Sequence, residues 1–100
     1  MFLIDKLKNN KTLIYSIISK YNADRLYVFG SCARKEETSD SDIDLIFDSD
    51  DNYNFTLFDW INMENELSKE LNHKVDLIPM SSLLNDTEFS DEVKKQMIIL

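Results

Sequence analysis

Two aspartates set two positions apart carry the first chemical signal in this chain. Asp42 and Asp44 begin the stretch Asp-Ile-Asp-Leu-Ile-Phe, whose apolar residues predict a β-strand. Because successive side chains of a strand point to opposite faces, both carboxylates should emerge on the same face. Two aligned carboxylates repel each other unless a cation lies between them, and hard oxygen ligands suit Mg²⁺, which also binds substrate phosphates. The pattern predicts a magnesium site, against the alternative of a solvated acidic strand end.

A calcium loop of the EF-hand type is a rival interpretation, since Asp40, Asp42 and Asp44 alternate along the chain. That loop needs a glycine at its sixth position and a bidentate glutamate at its twelfth. This chain has Leu45 and Asp51 at those positions, so the sequence argues against an EF-hand.

The one glycine of the chain, Gly30, directly follows the apolar run Leu-Tyr-Val-Phe and directly precedes Ser31. Glycine allows a phosphate to approach the backbone, and the start of a helix offers free N–H groups and the positive end of a dipole. The Ser31 hydroxyl can add a hydrogen bond. We therefore expect Gly30 and Ser31 to bind the triphosphate of a nucleotide, although a Gly-Ser pair taken alone is more often an ordinary turn.

Asp76 is a third acid, and it lies within the apolar stretch Val-Asp-Leu-Ile. A carboxylate among apolar strand residues is costly to bury without a partner. Strand alternation places Asp76 opposite Val75 and Leu77, so it can reach the face of the other two acids if the strands are neighbours. There it would ligate a metal or accept a proton from an attacking hydroxyl. The alternative is a residue that caps a turn at the strand end.

The elements that must position these residues follow from hydrophobic spacing. Apolar residues predict a short helical segment at 2–8 and a helix that ends near Asn22. Further along we predict strands at 26–29, 42–47 and 74–78, a helical turn at 31–34, a polar loop at 35–41, and helices at 55–71 and about 90–97. Few strands with helices between them predict an α/β (α+β) fold, a small mixed β-sheet flanked by helices.

Several apolar residues of the predicted helices are assigned to the core. On the long helix these are Phe58, Trp60 and Ile61, with any exposed remainder of that face available to a partner. On the final helix, Val93 and Met97 should point inward.

Composition narrows the function further. The 100 residues predict a single domain, 1–100, and 43% apolar residues are enough for one core. The sequence shows neither a membrane-spanning apolar run nor a signal peptide, and a single cysteine, Cys32, fits a reducing cytoplasm. We interpret Cys32 as a small filler and His73, the one histidine, as a surface residue. A net charge of −8 argues against direct binding of nucleic acid but permits a nucleotide bridged by metal ions, or a basic partner.

The motifs together resemble the minimal nucleotidyltransferase family. Its signature is Gly-Ser, ten residues and then Asp-x-Asp, and here ten residues, 32–41, separate Ser31 from Asp42. The Leu-Tyr-Val-Phe run, the Ala-Arg pair and the later Lys-Val-Asp-Leu are also similar to that family, and the resemblance covers most of residues 12–100. One departure is Lys35, where family members usually carry glycine, and this change can stiffen the loop or alter phosphate contacts.

The resemblance implies a polymerase-β-like nucleotidyltransferase core that uses ATP. Gly30 and Ser31 would bind the triphosphate, and Asp42 and Asp44 would hold two Mg²⁺ ions. Asp76 would complete the metal site or activate the acceptor. Such ions would stabilise the attacking and leaving oxygens of an in-line attack on the α-phosphate.

Arg34 has two interpretations of similar weight. In the first it adds positive charge at the phosphates. In the second it is a surface residue that pairs with a nearby glutamate.

Small members of this family are antitoxins that pair with HEPN-domain ribonuclease toxins and silence them by transferring AMP to a toxin tyrosine. The resemblance therefore implies a Mg²⁺-dependent protein adenylyltransferase, acting in a cytoplasmic hetero-oligomer with its toxin and binding neither nucleic acid nor membrane directly. One alternative is an inactive relative that neutralises its partner by contact alone. Another is transfer to a small-molecule hydroxyl, which a chain with little material for a substrate-binding domain makes less favourable.

Overall fold

The computed structural model describes residues 2–38, 40–49, 56–81, 91 and 95–100. Its elements in chain order are α1 (Leu3–Asn9), α2 (Lys11–Ser19), β1 (Ala23–Phe29), α3 (Gly30–Arg34), β2 (Ile43–Ser49), α4 (Leu57–Leu71), β3 (Val75–Pro79) and β4 (Ile98–Ile99). None of the helices in these residues is long and apolar enough to cross a membrane.

The strands form one mixed sheet in the order β3-β2-β1-β4. Strand β1 pairs antiparallel with β2 and β4, and β2 pairs parallel with β3. A parallel pair needs a long crossover, and α4 supplies it. The predicted α/β fold, a small mixed sheet flanked by helices, is confirmed.

The main core lies on one face of this sheet, where α1, α2 and α4 pack. Strand alternation turns Ile43, Leu45 and Phe47 of β2 to this face, as predicted, and all three are buried. The opposite face carries a smaller apolar group centred on Ile46, against which the side chains of Tyr27, Phe29, Ile78, Met80 and Met97 pack. The same face also carries Asp44 and Asp76, which lie two positions before Ile46 and Ile78 on their strands.

Helix α4 has well-defined ends. Thr56 caps its start, because the Thr56 hydroxyl accepts from the backbone N–H of Asp59 at 3.1 Å and the Asp59 carboxylate accepts from the N–H of Thr56 at 3.2 Å. Asn72 ends it in the left-handed conformation, which asparagine tolerates better than most residues. The helix is therefore fixed directly before β3 begins.

The prediction that Phe58 and Ile61 belong to the core is wrong. Phe58 is 77% exposed and Ile61 46% exposed, whereas Met63 and Leu67 are fully buried. Two helical positions span about 200°, so Phe58 lies about 160° around the helix from Trp60, which does pack against the core. Apolar residues at the start of this helix thus cover more of its circumference than the sheet can bury.

The end of the chain also differs from the prediction. Residues 91, 95 and 96 are helical, but Ile98–Ile99 form strand β4, which pairs with β1. Met97 packs against Ile46, in agreement with its predicted inward position, and Val93 lies outside the described residues. A strand of two residues is too short for a period of two to be recognised in the sequence.

Candidate active site

Two of the three predicted acids are direct neighbours across the sheet. Asp44 of β2 and Asp76 of β3 are paired positions in the parallel register, and both are half-buried. Paired residues on adjacent strands present their side chains to the same face. The prediction that Asp76 would reach the face of Asp44 is confirmed by this register.

Asp42 lies just before β2, two positions from Asp44. Its carboxylate is 3.5 Å from Nζ of Lys74, at the start of the neighbouring strand. The backbone N–H of Ile43 donates to the carbonyl oxygen of Lys74 at 2.9 Å, which ties the two strand starts together. All three acids therefore lie at the same end of β2 and β3.

The environment of Asp44 disfavours its negative charge. Burial raises the pKa of its carboxyl above the ordinary value, and the charges of Asp76 and Asp42 raise it further. The guanidinium of Arg34 acts in the opposite direction on the same pKa. A divalent cation at this position would relieve both the desolvation and the repulsion.

The acids have the chemistry of metal ligands, but in the described residues they are not gathered into a metal-binding cluster. Among the described residues, the carboxylates of Asp44 and Asp76 accept no hydrogen bond and form no ion pair, so their oxygens are available to a cation. Carboxylate oxygens are the donors that Mg²⁺ prefers. In the same part of the chain, no group of three or more His, Cys, Asp or Glu residues stands ready to hold a metal. The predicted roles of Asp42, Asp44 and Asp76 as ligands stay predictions.

Gly30 lies against Asp44, which explains why this position requires glycine. Its φ is +71°, a left-handed value that side chains rarely tolerate, and a Cβ atom built there would be 2.6 Å from Oδ2 of Asp44. The register of the β1–β2 hairpin, which pairs Phe29 with Asp44, brings the turn this close. Gly30 therefore shapes the acid site as well as the turn in which phosphate binding is predicted.

The turn after β1 forms the short helix α3, as expected from the sequence. Ser31 is half-buried at its second position, and within the described residues no side chain hydrogen-bonds its hydroxyl. The hydroxyl is thus available to a ligand, and the phosphate role of Gly30 and Ser31 stays a prediction.

Arg34 forms the pair with a nearby glutamate that its second sequence interpretation predicted, and its role at the phosphates stays a prediction. Its Nε donates to Oε2 of Glu36 at 3.0 Å, which is the predicted pairing with a nearby glutamate. One terminal nitrogen donates to Oε1 of Gln96 at 2.7 Å, and the guanidinium charge still reaches Asp44. The contact with Gln96 was not predicted, because no local pattern relates residues so far apart in the chain.

Lys35, the departure from the family pattern, occupies a left-handed position. Its φ is +58° at the end of α3, where a glycine carries no steric penalty. Its ammonium group lies 5.6 Å from the centre of the Phe2 ring. The substitution therefore strains the backbone beside the site and leaves the three acids in place.

Cys32 packs in the core, whereas His73 contacts a loop. Cys32 is fully buried, and burial together with the charges of Glu37 and Asp44 raises the pKa of its thiol to about 11, so it is no nucleophile at neutral pH. His73 is half-buried, and its Nε2 lies within hydrogen-bonding distance of the Ser41 carbonyl oxygen. His73 therefore lies partly at the surface, as predicted, and its ring also contacts the loop before β2.

Comparison with known families identifies the domain. The family model described as polymerase beta nucleotidyltransferase matches residues 5–100. The chain belongs to this family. Two curated proteins similar to this nucleotidyltransferase, both from Methanocaldococcus jannaschii, are named as candidate protein adenylyltransferases: MJ0126 is 42% identical and MJ1379 is 38% identical, each over 66 residues. Those residues are 66% of this chain, 65% of MJ0126 and 66% of MJ1379, so the chain spans slightly less than two thirds of either relative.

Solved structures resemble the nucleotidyltransferase over most of its length. A candidate minimal nucleotidyltransferase is 28% identical, with a TM-score of 0.79 over 96% of this chain and 94% of that one. A toxin–antitoxin crystal structure with AMP-PNP matches at 22% identity and a TM-score of 0.72, over 90% of this chain and 71% of that one. A complex of a tri-AMPylated Shewanella oneidensis HEPN toxin with an MNT antitoxin matches at 21% identity and a TM-score of 0.64. The match covers 92% of this chain and 69% of that one. The last two likenesses establish the shared fold.

Proposed function

We propose that this nucleotidyltransferase transfers AMP from ATP to a tyrosine hydroxyl of a HEPN ribonuclease toxin and so acts as its antitoxin. The observation that carries the proposal is the pairing of Asp44 with Asp76 beside Gly30, in a chain of the nucleotidyltransferase family. Relatives named as candidate protein adenylyltransferases support a protein acceptor. The AMPylated HEPN toxin in one structural neighbour supports the partner.

In this proposal the chain's own residues bind the nucleotide and handle the proton. Gly30 and Ser31 contact the triphosphate, and the guanidinium of Arg34 adds positive charge beside them. The acceptor oxygen bonds to the α-phosphorus while the bond from that phosphorus to the bridging oxygen of the β-phosphate breaks, which releases pyrophosphate. The acceptor's proton goes to the carboxylate of Asp76.

Asp42, Asp44 and Asp76 would hold Mg²⁺, two ions in our proposal. When bound, Mg²⁺ would supply positive charge to stabilise the oxygens around the α-phosphate. Carboxylates are hard oxygen donors, and their mutual repulsion, which raises the pKa of Asp44, would be reduced by that ion. Because the toxin acts on RNA, we place the resulting hetero-oligomer in the cytoplasm.

The test is intact-mass spectrometry of the partner after incubation with this protein, ATP and Mg²⁺. We expect the toxin to gain the mass of one or more AMP units, and peptide mapping to place them on a tyrosine. Asp42→Asn and Asp44→Asn should abolish the gain, and Asp76→Asn should reduce it strongly. Asp24→Asn, which changes an exposed acid at the distant start of β1, is the matched control and should retain full transfer.

Two results would replace the proposal. If the toxin is silenced without any added mass, and equally well by Asp42→Asn, the protein neutralises its partner by binding alone. If AMP appears instead on a small-molecule hydroxyl and never on the toxin, the acceptor class is wrong while the chemistry stands.

A further inference from the structure

The outer edge of β3 is closed by side chains of α4. The Val75 N–H donates to Oγ of Ser68 at 3.1 Å, and the Leu77 N–H donates to Oε2 of Glu64 at 3.0 Å. The indole Nε1 of Trp60 donates to the carbonyl oxygen of Leu77 at 2.6 Å. We call Trp60, Glu64 and Ser68 the edge ladder.

The edge ladder works because two regular repeats match. Its residues are four apart on the helix, which advances about 6 Å in that interval, and two strand residues advance about 6.6 Å. Glu64 and Ser68, four apart on the helix, can therefore reach Leu77 and Val75, two apart on the strand, and Trp60 adds a second bond to Leu77. The backbone N–H groups of Val75 and Leu77 point away from β2, and Pro79 is the next residue in this alternation. Proline has no N–H, so this position leaves no donor to satisfy at the edge.

The amides that the edge ladder holds lie on either side of Asp76. Asp76 is the residue between Val75 and Leu77, and its paired position on β2 is Asp44. Like charges at paired positions repel, so this part of β3 is under a force that would separate it from β2. Side chains of α4 hydrogen-bond the edge of β3 that faces away from β2. These bonds hold β3 in the position that its pairing with β2 requires.

We propose that Glu64 and Ser68 are positioning residues for Asp76, holding the outer edge of β3 so that this acid stays opposite Asp44. The role of Asp76 as a reacting group rests on the proposed function. The hydrogen bonds that hold β3 do not depend on that proposal. Misplacement of a reacting group by about 1 Å can lower a rate by roughly a hundredfold. Residues that contact neither nucleotide nor acceptor would thus control the rate of transfer.

The experiment compares Glu64→Leu with Glu64→Gln and with Glu66→Leu. The glutamine variant keeps a side-chain oxygen that can accept from the Leu77 N–H. Glu66 lies on the same helix but bonds Tyr21 and Lys20, so its loss reports the effect of removing a helix acid without touching β3. The first readout is hydrogen exchange at the amides of residues 75–78, and the second is kcat and KM for ATP in transfer to the toxin.

For Glu64→Leu we expect exchange at residues 76 and 77 to quicken by about tenfold and kcat to fall by about ten- to a hundredfold, with KM for ATP nearly unchanged. Glu64→Gln should restore both, Ser68→Ala should show a weaker form of both, and Glu66→Leu should show neither. Equal exchange in Glu64→Leu and Glu66→Leu would overturn the proposal, and so would faster exchange with kcat unchanged. If the wild type transfers no AMP, the proposed function fails, and the exchange comparison by itself decides whether the edge ladder holds β3.

Discussion

The surroundings of Asp44 disfavour the negative charge of its carboxylate. It is half-buried, it is paired with Asp76, and Asp42 lies two positions away. Its raised pKa means that the native state binds a proton at this carboxyl more tightly than the unfolded chain does. The associated stability is present below the ordinary pKa of an aspartate, about 3.9, and is lost as the pH rises through the higher native value.

Asp44→Asn should therefore stabilise the protein alone at neutral pH. We expect its Tm in metal-free buffer at pH 7 to rise by roughly 2–4 °C, and the gain to shrink as the pH is lowered toward about 4. Thermal melts from about pH 4.5 to about pH 8, which span the titration of an aspartate with a raised pKa, would measure it. Asp24→Asn, at an exposed position, is the control for removing an acid away from the site. A lower Tm for Asp44→Asn at pH 7 would mean that the carboxylate is stabilised by contacts other than those described.

Lys35 is strained for a different reason, its left-handed backbone. Lys35→Gly should raise the free energy of unfolding by about 0.5–1 kcal/mol, because glycine adopts this conformation without a Cβ clash. Both variants lose the contact with the Phe2 ring, but Lys35→Ala also keeps the clash, so it should not stabilise. Urea denaturation of the three proteins would separate these effects, and a gain in Lys35→Ala equal to that in Lys35→Gly would contradict the strain argument.

At the scale of elements, the sequence predicted where the three acids lie better than it predicted which residues of α4 are buried. The spacing of Asp42 and Asp44 and the alternation around Asp76 depend only on the strand period, which tertiary packing does not alter. The register of Asp44 with Asp76 could not be predicted, because it depends on how β2 and β3 align in space. Which apolar residues of α4 are buried likewise depends on where the sheet lies, and Phe58 and Ile61 extend beyond the buried stripe.

The two sides of α4 should respond very differently to truncation. Leu67→Ala removes a fully buried side chain from the core and should lower the free energy of unfolding by about 2–5 kcal/mol. Phe58→Ala removes a larger side chain that is mostly exposed and should change it by no more than about 0.5 kcal/mol. Chemical denaturation measures both. A loss above about 2 kcal/mol for Phe58→Ala would place this ring in contacts that the described residues do not show.

At the scale of the whole molecule, the net charge of −8 bears on how a nucleotide can bind. ATP is itself strongly anionic, and three acids lie at the end of the sheet where we propose it binds. Among the described residues near that end, Lys74 pairs with Asp42 and Arg34 pairs with Glu36, so part of the nearby positive charge is already balanced. In our proposal a divalent ion would offset the combined negative charge.

We accordingly expect ATP without Mg²⁺ to leave the Tm nearly unchanged. Mg²⁺ with ATP should stabilise the protein as RT ln(1 + [L]/Kd), which is about 2.7 kcal/mol at a ligand concentration of about 100 Kd. Asp42→Asn should remove most of this gain and Asp24→Asn should keep it, as followed by thermal melts. Equal stabilisation of both variants would show that the nucleotide binds without the predicted acids.

The parallel pairing of β2 and β3 affects the order in which the parts of the acid site form during folding. The β1–β2 hairpin forms from neighbouring stretches of chain, and its closure by itself brings Gly30 against Asp44. Asp76 reaches Asp44 only after α4 has crossed over and β3 has docked, and such long-range parallel contacts form more slowly than hairpins. A chain caught part-way through folding would hold the turn at Gly30 and Ser31 beside Asp44, without Asp76. The complete set of acids thus exists only once the domain has finished folding.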